Sequence, residues 1–218
     1  LIAVLIGAVV VGIVEMVFGF LAALVNLGFD FPWFVQWVLI GAIAWMILRK
    51  FQAFDHKIYA YYLMHDFAFT ASAQGAYPDD LEERLTTFSD IIASAFDADV
   101  EEVLVVGHSS GAHLAISVLA DLIRDGRVPQ SGPKLGLLTL GHVVPMVSFL
   151  PKAQRLRADL AFLCNRDLIT WVDVTAPGDG CSFALCDPVA VTGVGPSTKK
   201  WPIVFSASFT QSLSPELW

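Results

Sequence analysis

The chain has 218 residues, enough for one domain with a sizeable core plus an appendage. Hydrophobic residues make up 56% of it, and the net charge is −8. No basic stripe exists to neutralise phosphates, which argues against nucleic-acid binding. The three cysteines (Cys164, Cys181 and Cys186) lack the close spacing of a zinc site, and an odd number makes no disulfide framework. Reduced thiols in a cytosolic environment are the expectation.

Residues 1–27 are apolar except for Glu15 and Asn26. A bilayer core needs about 20 apolar residues, so this run is long enough to span it. Gly28 to Pro32 reads as a turn, and residues 33–48 form a second apolar run with one polar residue, Gln36. Trp33 and Trp37 near its start suit an interfacial aromatic belt. The two runs read as a two-helix transmembrane hairpin over residues 1–50, with the bilayer as partner. A signal peptide in the first run, for which no basic n-region or small-residue cleavage site is visible, and buried core helices are the alternatives. Arg49, Lys50 and Lys57 follow the second run, which puts the domain after it on the cytoplasmic side. The chain opens at Leu1 inside an apolar run, and the expectation is a fragment of a longer protein.

Residues 51–218 read as one α/β domain. Ile58–Met64, rich in aromatic residues, reads as a strand. Asp79-Asp80 opens a helix that carries Leu81, Leu85, Phe88, Ile91 and Ile92 at helical spacing. Val103–Val106 is a β-branched strand, and Ser110–Arg124 a helix. Leu135–Leu140 is a strand, Leu156–Leu163 lies on a helix, Leu168–Val174 is a strand, and Ile203–Phe205 is a short last one. Strands alternating with helices imply a parallel sheet. Their continuous apolar character implies helices on both faces.

Between the strand at 103–106 and the next helix stands Gly107-His108-Ser109-Ser110-Gly111. This strand–turn–helix setting is what a G-x-S-x-G nucleophile elbow requires. The glycines allow close backbone approach, and the central serine is held strained with its oxygen exposed. The helix N-terminus offers free N–H groups to a developing oxyanion. Ser109 is the candidate nucleophile. The plain alternative is a small-residue turn in an ordinary α/β domain. No P-loop or dinucleotide-binding pattern appears in the right context, no metal ligation is indicated, and no cofactor is expected.

With this elbow, the chain from about residue 58 to 218 resembles the α/β-hydrolase fold, and its lipase/esterase-like members in particular. It is also similar to a group of uncharacterised bacterial membrane proteins. In these a transmembrane hairpin precedes segments such as LMHDFAF, VGHSSGAHLA, LTLGH and FALCDP. That resemblance implies the bacterial inner membrane as location. The hydrolase resemblance implies a triad in the order Ser, acid, His. Ser109 matches the nucleophile. Asp179, in the loop after the strand at 168–174, is the first choice for the acid. Asp173 is second, and Asp187, before Pro188, is third and more in keeping with a turn. No histidine follows His142, so the base is expected beyond Trp218. His108 occupies the variable elbow position, and His113 reads as a packing or polar-contact residue. His142 ends a strand at the same sheet edge and could line the site. The oxyanion hole should use the N–H of Ser110, with His65-Asp66-Phe67 as fallback supplier of the second donor. The implied activity is a membrane-anchored serine hydrolase of a lipid or acyl ester. A catalytically inactive membrane interaction or sensing module is the rival. An exposed apolar edge is expected.

Overall fold

The computed structural model describes residues 32–208, together with Gly12, Glu15, Met16, Gly19, Phe20, Ala23, Leu213, Ser214 and Glu216. Most of the first apolar run therefore lies outside the described residues. The chain divides into two compact units, Leu1–His65 and Asp66–Trp218.

In the first unit, α1 (Trp33–Ala53) is followed by the single turn α2 (Asp55–Ile58). No helix among the described residues is long and apolar enough to cross a membrane. Gln36 stands near the start of α1, and Arg49, Lys50 and Gln52 near its end. The uninterrupted apolar stretch between them, residues 37–48, is about 18 Å long at the α-helical rise, against a bilayer core of about 30 Å. The transmembrane hairpin expected from the sequence is not supported.

Ile58–Met64, expected as a strand, lies mostly in the helix α3 (Ala60–Ser72). The cause is local. Tyr59 takes a left-handed conformation (φ 53°) that turns the chain. The Asp55 carboxylate then accepts the N–H groups of Tyr61 (2.6 Å) and Tyr62 (3.0 Å), capping the first turn of α3. A strand would need a neighbouring strand for its backbone bonds, whereas a capped helix satisfies them within itself.

The second unit is α/β. In order it contains α4 (Asp79–Ala95), β1 (Glu102–His108), α5 (Ser110–Arg124), β2 (Lys134–Leu140), α6 (Val144–Ser148), α7 (Gln154–Leu163), β3 (Ile169–Thr175), α8 (Pro188–Thr192) and β4 (Ile203–Ser206). The four strands form one sheet in the order β1-β2-β3-β4, every neighbouring pair parallel. Asp79, Asp80 and Glu82 complement the dipole of the first turn of α4. The short helices α6 and α8 fall in stretches to which the sequence analysis assigns no element. Each carries proline in its first turn, and Asp187 caps α8 by accepting from Val189 and Ala190 N–H at 3.0 Å each.

One face of the sheet carries Leu135, Leu137, Ile169 and Trp171, all buried. Ile116 and Leu119 of α5 and Leu156, Leu160 and Leu163 of α7 close the same core. Both crossover helices thus lie on this face. On the other face Leu104 and Val106 are each 53% exposed, and Ile203 and Phe205 are exposed too. Among the described residues, the expectation of helices on both faces therefore holds for one face only. Asp159, wholly buried on α7, ties two neighbours together. Its Oδ1 accepts from Arg124 of α5 (2.6 Å) and from Arg155 (2.7 Å), and Arg155 also pairs with Asp121 and Glu82.

Candidate active site

β1 ends at His108, and α5 begins at Ser110, so Ser109 makes the whole turn. Its backbone stands at φ 55°, ψ −122°, outside the regions that residues with a Cβ normally occupy. Such strain costs of order 1–3 kcal/mol and persists only where the surroundings impose it. The imposing contacts are visible. Ser109 N–H donates to the Leu140 carbonyl at 3.0 Å, at the end of β2. A Cβ on Gly107 would lie 2.8 Å from both Ala112 Cα and Gly111 O, so only glycine fits there. Gly111 differs, since a Cβ would meet nothing within 4 Å. Close approach explains the first elbow glycine and not the second.

Ser110 is the first residue of α5, where a backbone N–H has no acceptor inside the helix and the dipole is positive. This is the arrangement that suits an oxyanion. The fallback donors do not. His65, Asp66 and Phe67 lie inside α3, where N–H groups are taken up by intrahelical bonds. The ring of His65 stacks on Tyr61 in the first unit. Asp66 belongs to the second unit and lines a cleft beside Ser110.

The three acid candidates have separate surroundings. Asp179 lies in the loop after β3, where its Oδ1 accepts the N–H of Cys181 at 2.9 Å. Its Oδ2 would sit 3.1 Å from a Cβ on Gly141, the residue that follows β2. That places Asp179 at the sheet edge to which Ser109 is bonded. Asp187 caps α8 and pairs with Lys199, a structural duty. Asp173 is fully buried within β3.

Asp173 belongs to a buried chain of polar groups. The Trp171 indole N–H donates to Thr139 Oγ1 (3.0 Å), and the Thr139 hydroxyl donates to Asp173 Oδ1 (2.5 Å). Asp173 Oδ2 faces His142 Nε2 at 3.6 Å and has no hydrogen-bond partner. Burial pushes the Asp173 carboxyl above the ordinary carboxylate range, while the Thr139 hydroxyl and His142 pull it down. His142 is fully buried as well. Its Nδ1 accepts the N–H of Val144 (3.3 Å), and its Nε2 donates to the Cys186 carbonyl (2.8 Å). Both ring nitrogens are engaged by backbone, so His142 holds the connection to α6 and the 176–187 loop in place. His108 is exposed at the end of β1.

His113, read from the sequence as a packing or polar-contact residue, also borders a cleft. His113 lies on α5, 5% exposed, and lines the cleft that holds Ser110 and Asp66. Its Nδ1 is buried without a hydrogen-bond partner. Burial lowers its pKa to about 4. Tyr77, whose ring tilts against His113 with centroids 6.4 Å apart, donates or accepts a hydrogen bond with Ser117 at 3.0 Å. Nothing in the spacing of Tyr77 marks it for this site, because the loop that carries it is placed by tertiary contacts. Among the described residues no group of three or more His, Cys, Asp or Glu side chains is placed to hold a metal ion. No protein-family model, curated protein or solved structure matches this chain.

Proposed function

We propose that this chain is a serine hydrolase of the α/β-hydrolase type, lipase/esterase-like, that cleaves an ester through Ser109. The observation that carries the reading is the strained backbone of Ser109, at φ 55° and ψ −122°, between a parallel strand and the N-terminus of α5. In this reading Ser109 Oγ attacks the ester carbonyl carbon and gives its proton to a general base. The carbonyl oxygen becomes an oxyanion that the Ser110 N–H receives. The intermediate collapses, the C–O bond to the alcohol breaks, and the alcohol leaves with that proton. Water then attacks the acyl-serine and releases the acid.

Asp179 stands as the acid, on its position at the sheet edge beside Gly141. All five histidines precede Asp179 in the chain, and the last of them, His142, has both nitrogens engaged. The reading therefore requires a base histidine supplied from elsewhere. Membrane location, with this unit on the cytoplasmic side, rests on the apolar sequence of residues 1–48 and on Arg49-Lys50 alone. It favours a lipid or acyl ester.

The engagement of His142 also favours a second reading, a catalytically inactive hydrolase-like module used for interaction or sensing. Fluorophosphonate labelling of the intact protein in native membranes separates the two. Labelling that disappears in Ser109→Ala supports the hydrolase. Folded protein that takes up no label supports the module.

A further inference from the structure

β1 is an edge strand, bonded to β2 on one side. The Ser109 N–H donates to the Leu140 carbonyl, and the Glu101 carbonyl accepts the N–H of Lys134. In a parallel pair, both backbone groups of every second residue turn to the same neighbour. Those of Val103, Val105 and Gly107 therefore serve β2. Those of Glu102, Leu104, Val106 and His108 point away from the sheet. Among the described residues, nothing takes up these outward groups.

Open edges are normally blunted by lysine, by proline, by a bulge or by shortness. The opposite edge follows that rule. β4 has four residues and comes directly after Lys199, Lys200 and Pro202. β1 has seven residues, and Val103–Gly107 contains neither a charge nor a proline. Leu104 and Val106 on its outer face are exposed. α4, which touches both α5 and β1, keeps Phe88 and Ile91 exposed as well. Such an edge is a template for another strand.

The order of residues in β1 suits a second copy of itself. Antiparallel pairing about Val105 sets Glu102 against the partner's His108 and Leu104 against the partner's Val106, and symmetry repeats both pairs. Each outward residue then meets an outward residue, so the pairs exchange both backbone hydrogen bonds. A carboxylate faces an imidazole at each end, with apolar pairs between them, and both kinds of cross-strand pair are favourable. A register shifted by two residues breaks the pairing of Glu102 with the imidazole and sets a polar side chain against an apolar one.

We propose that this protein forms a twofold dimer in which β1 pairs antiparallel with β1 of a second copy, joining the two four-stranded sheets into one. The axis passes between the two Val105 residues, perpendicular to the sheet, so the interface is isologous and closed. Both α4 helices then lie on the same face of the joined sheet. Glu102 of the partner subunit stands across from His108, the residue before Ser109. The dimer is independent of the hydrolase reading.

The test is disulfide cross-linking of the intact protein in native membranes. The two Val105 residues form a non-hydrogen-bonded pair, with Cα atoms about 4.5 Å apart and within disulfide reach. Val105→Cys is expected to give a cross-linked dimer on mild oxidation. Val103→Cys, whose two copies would lie roughly 13 Å apart or more, is expected to give none beyond the unsubstituted protein, which controls for the native cysteines. Sedimentation equilibrium in mild detergent tests the end pairs. Glu102→Lys is expected to weaken the dimer about tenfold, and adding His108→Glu to bring it back within about threefold. Leu104→Pro removes an outward N–H, spares the ladder to β2 and is expected to leave a folded monomer. A monomeric unsubstituted protein, equal cross-linking at positions 103 and 105, or a double variant no better than Glu102→Lys overturns the proposal.

Discussion

Gly107 and Ala112 approach so closely that a Cβ on Gly107 would stand 2.8 Å from the Ala112 Cα. The opposing atoms are backbone and cannot swing aside. The elbow thus closes on itself, with the last turn of β1 pressed against the first turn of α5. Four residues away in the same motif, Gly111 has open space.

The two glycines should therefore respond oppositely to alanine. Gly107→Ala overpacks the turn and is expected to cost at least about 1–3 kcal/mol. Gly111→Ala, at the second residue of α5, puts a Cβ into open space and is expected to gain up to about 1 kcal/mol through the less flexible unfolded chain. Chemical denaturation of both variants checks the contrast. Equal effects would mean that the elbow is not shaped as described.

Ser109 holds a backbone conformation that glycine adopts freely. Ser109→Ala keeps the Cβ and hence the strain, whereas Ser109→Gly releases it. Strain of about 1–3 kcal/mol, set against the larger unfolded-state entropy of glycine, leaves Ser109→Gly about 1 kcal/mol more stable than Ser109→Ala. Both should lose fluorophosphonate labelling. A glycine variant less stable than the alanine variant would contradict a strained elbow.

His113 couples stability to pH. Its folded pKa of about 4 lies below the ordinary value of 6.5, because burial opposes the charged ring. The unfolded chain thus binds the proton more readily, and stability rises with pH between these values. The contribution is complete above about pH 6.5 and is lost as the pH falls to about 4. The loss amounts to about 3 kcal/mol for a shift of this size. Unfolding midpoints measured across that window should fall toward acid, and His113→Leu should flatten this part of the profile.

Thr139 joins Trp171 to Asp173 at the base of the site. Thr139→Val keeps the shape and removes the hydroxyl, leaving the indole N–H and a buried carboxylate oxygen without it. The expected cost is about 1–3 kcal/mol. Trp171 fluorescence during urea unfolding follows it directly. A neutral outcome would show that the hydroxyl carries no weight in this network.

Much of the second unit was legible in the chain because its signals are local. Apolar runs at 103–106 and 135–140 signalled strands, although β1 keeps one face exposed. The acidic opening at Asp79-Asp80 and the spacing of Leu81, Leu85, Phe88 and Ile92 could only suit a helix. The glycine–serine turn between β1 and α5 pointed to Ser109 without any structure. What escaped was decided by particular hydrogen bonds and contacts that composition does not show. IYAYYLM has strand composition, yet the Asp55 carboxylate and the left-handed Tyr59 make it helical. His142 looked available at a strand end until the Val144 N–H and the Cys186 carbonyl occupied its two nitrogens. His113 read as a packing or polar-contact residue, and the cleft it borders exists only once the loop at Tyr77 is in place. Periodicity and turn chemistry depend on residues a few positions apart, so the sequence by itself determined the strands, most helices and the elbow. Burial and hydrogen-bond satisfaction depend on which surfaces meet. Only the tertiary structure could therefore decide which polar groups are spent on the fold and which are left unpaired.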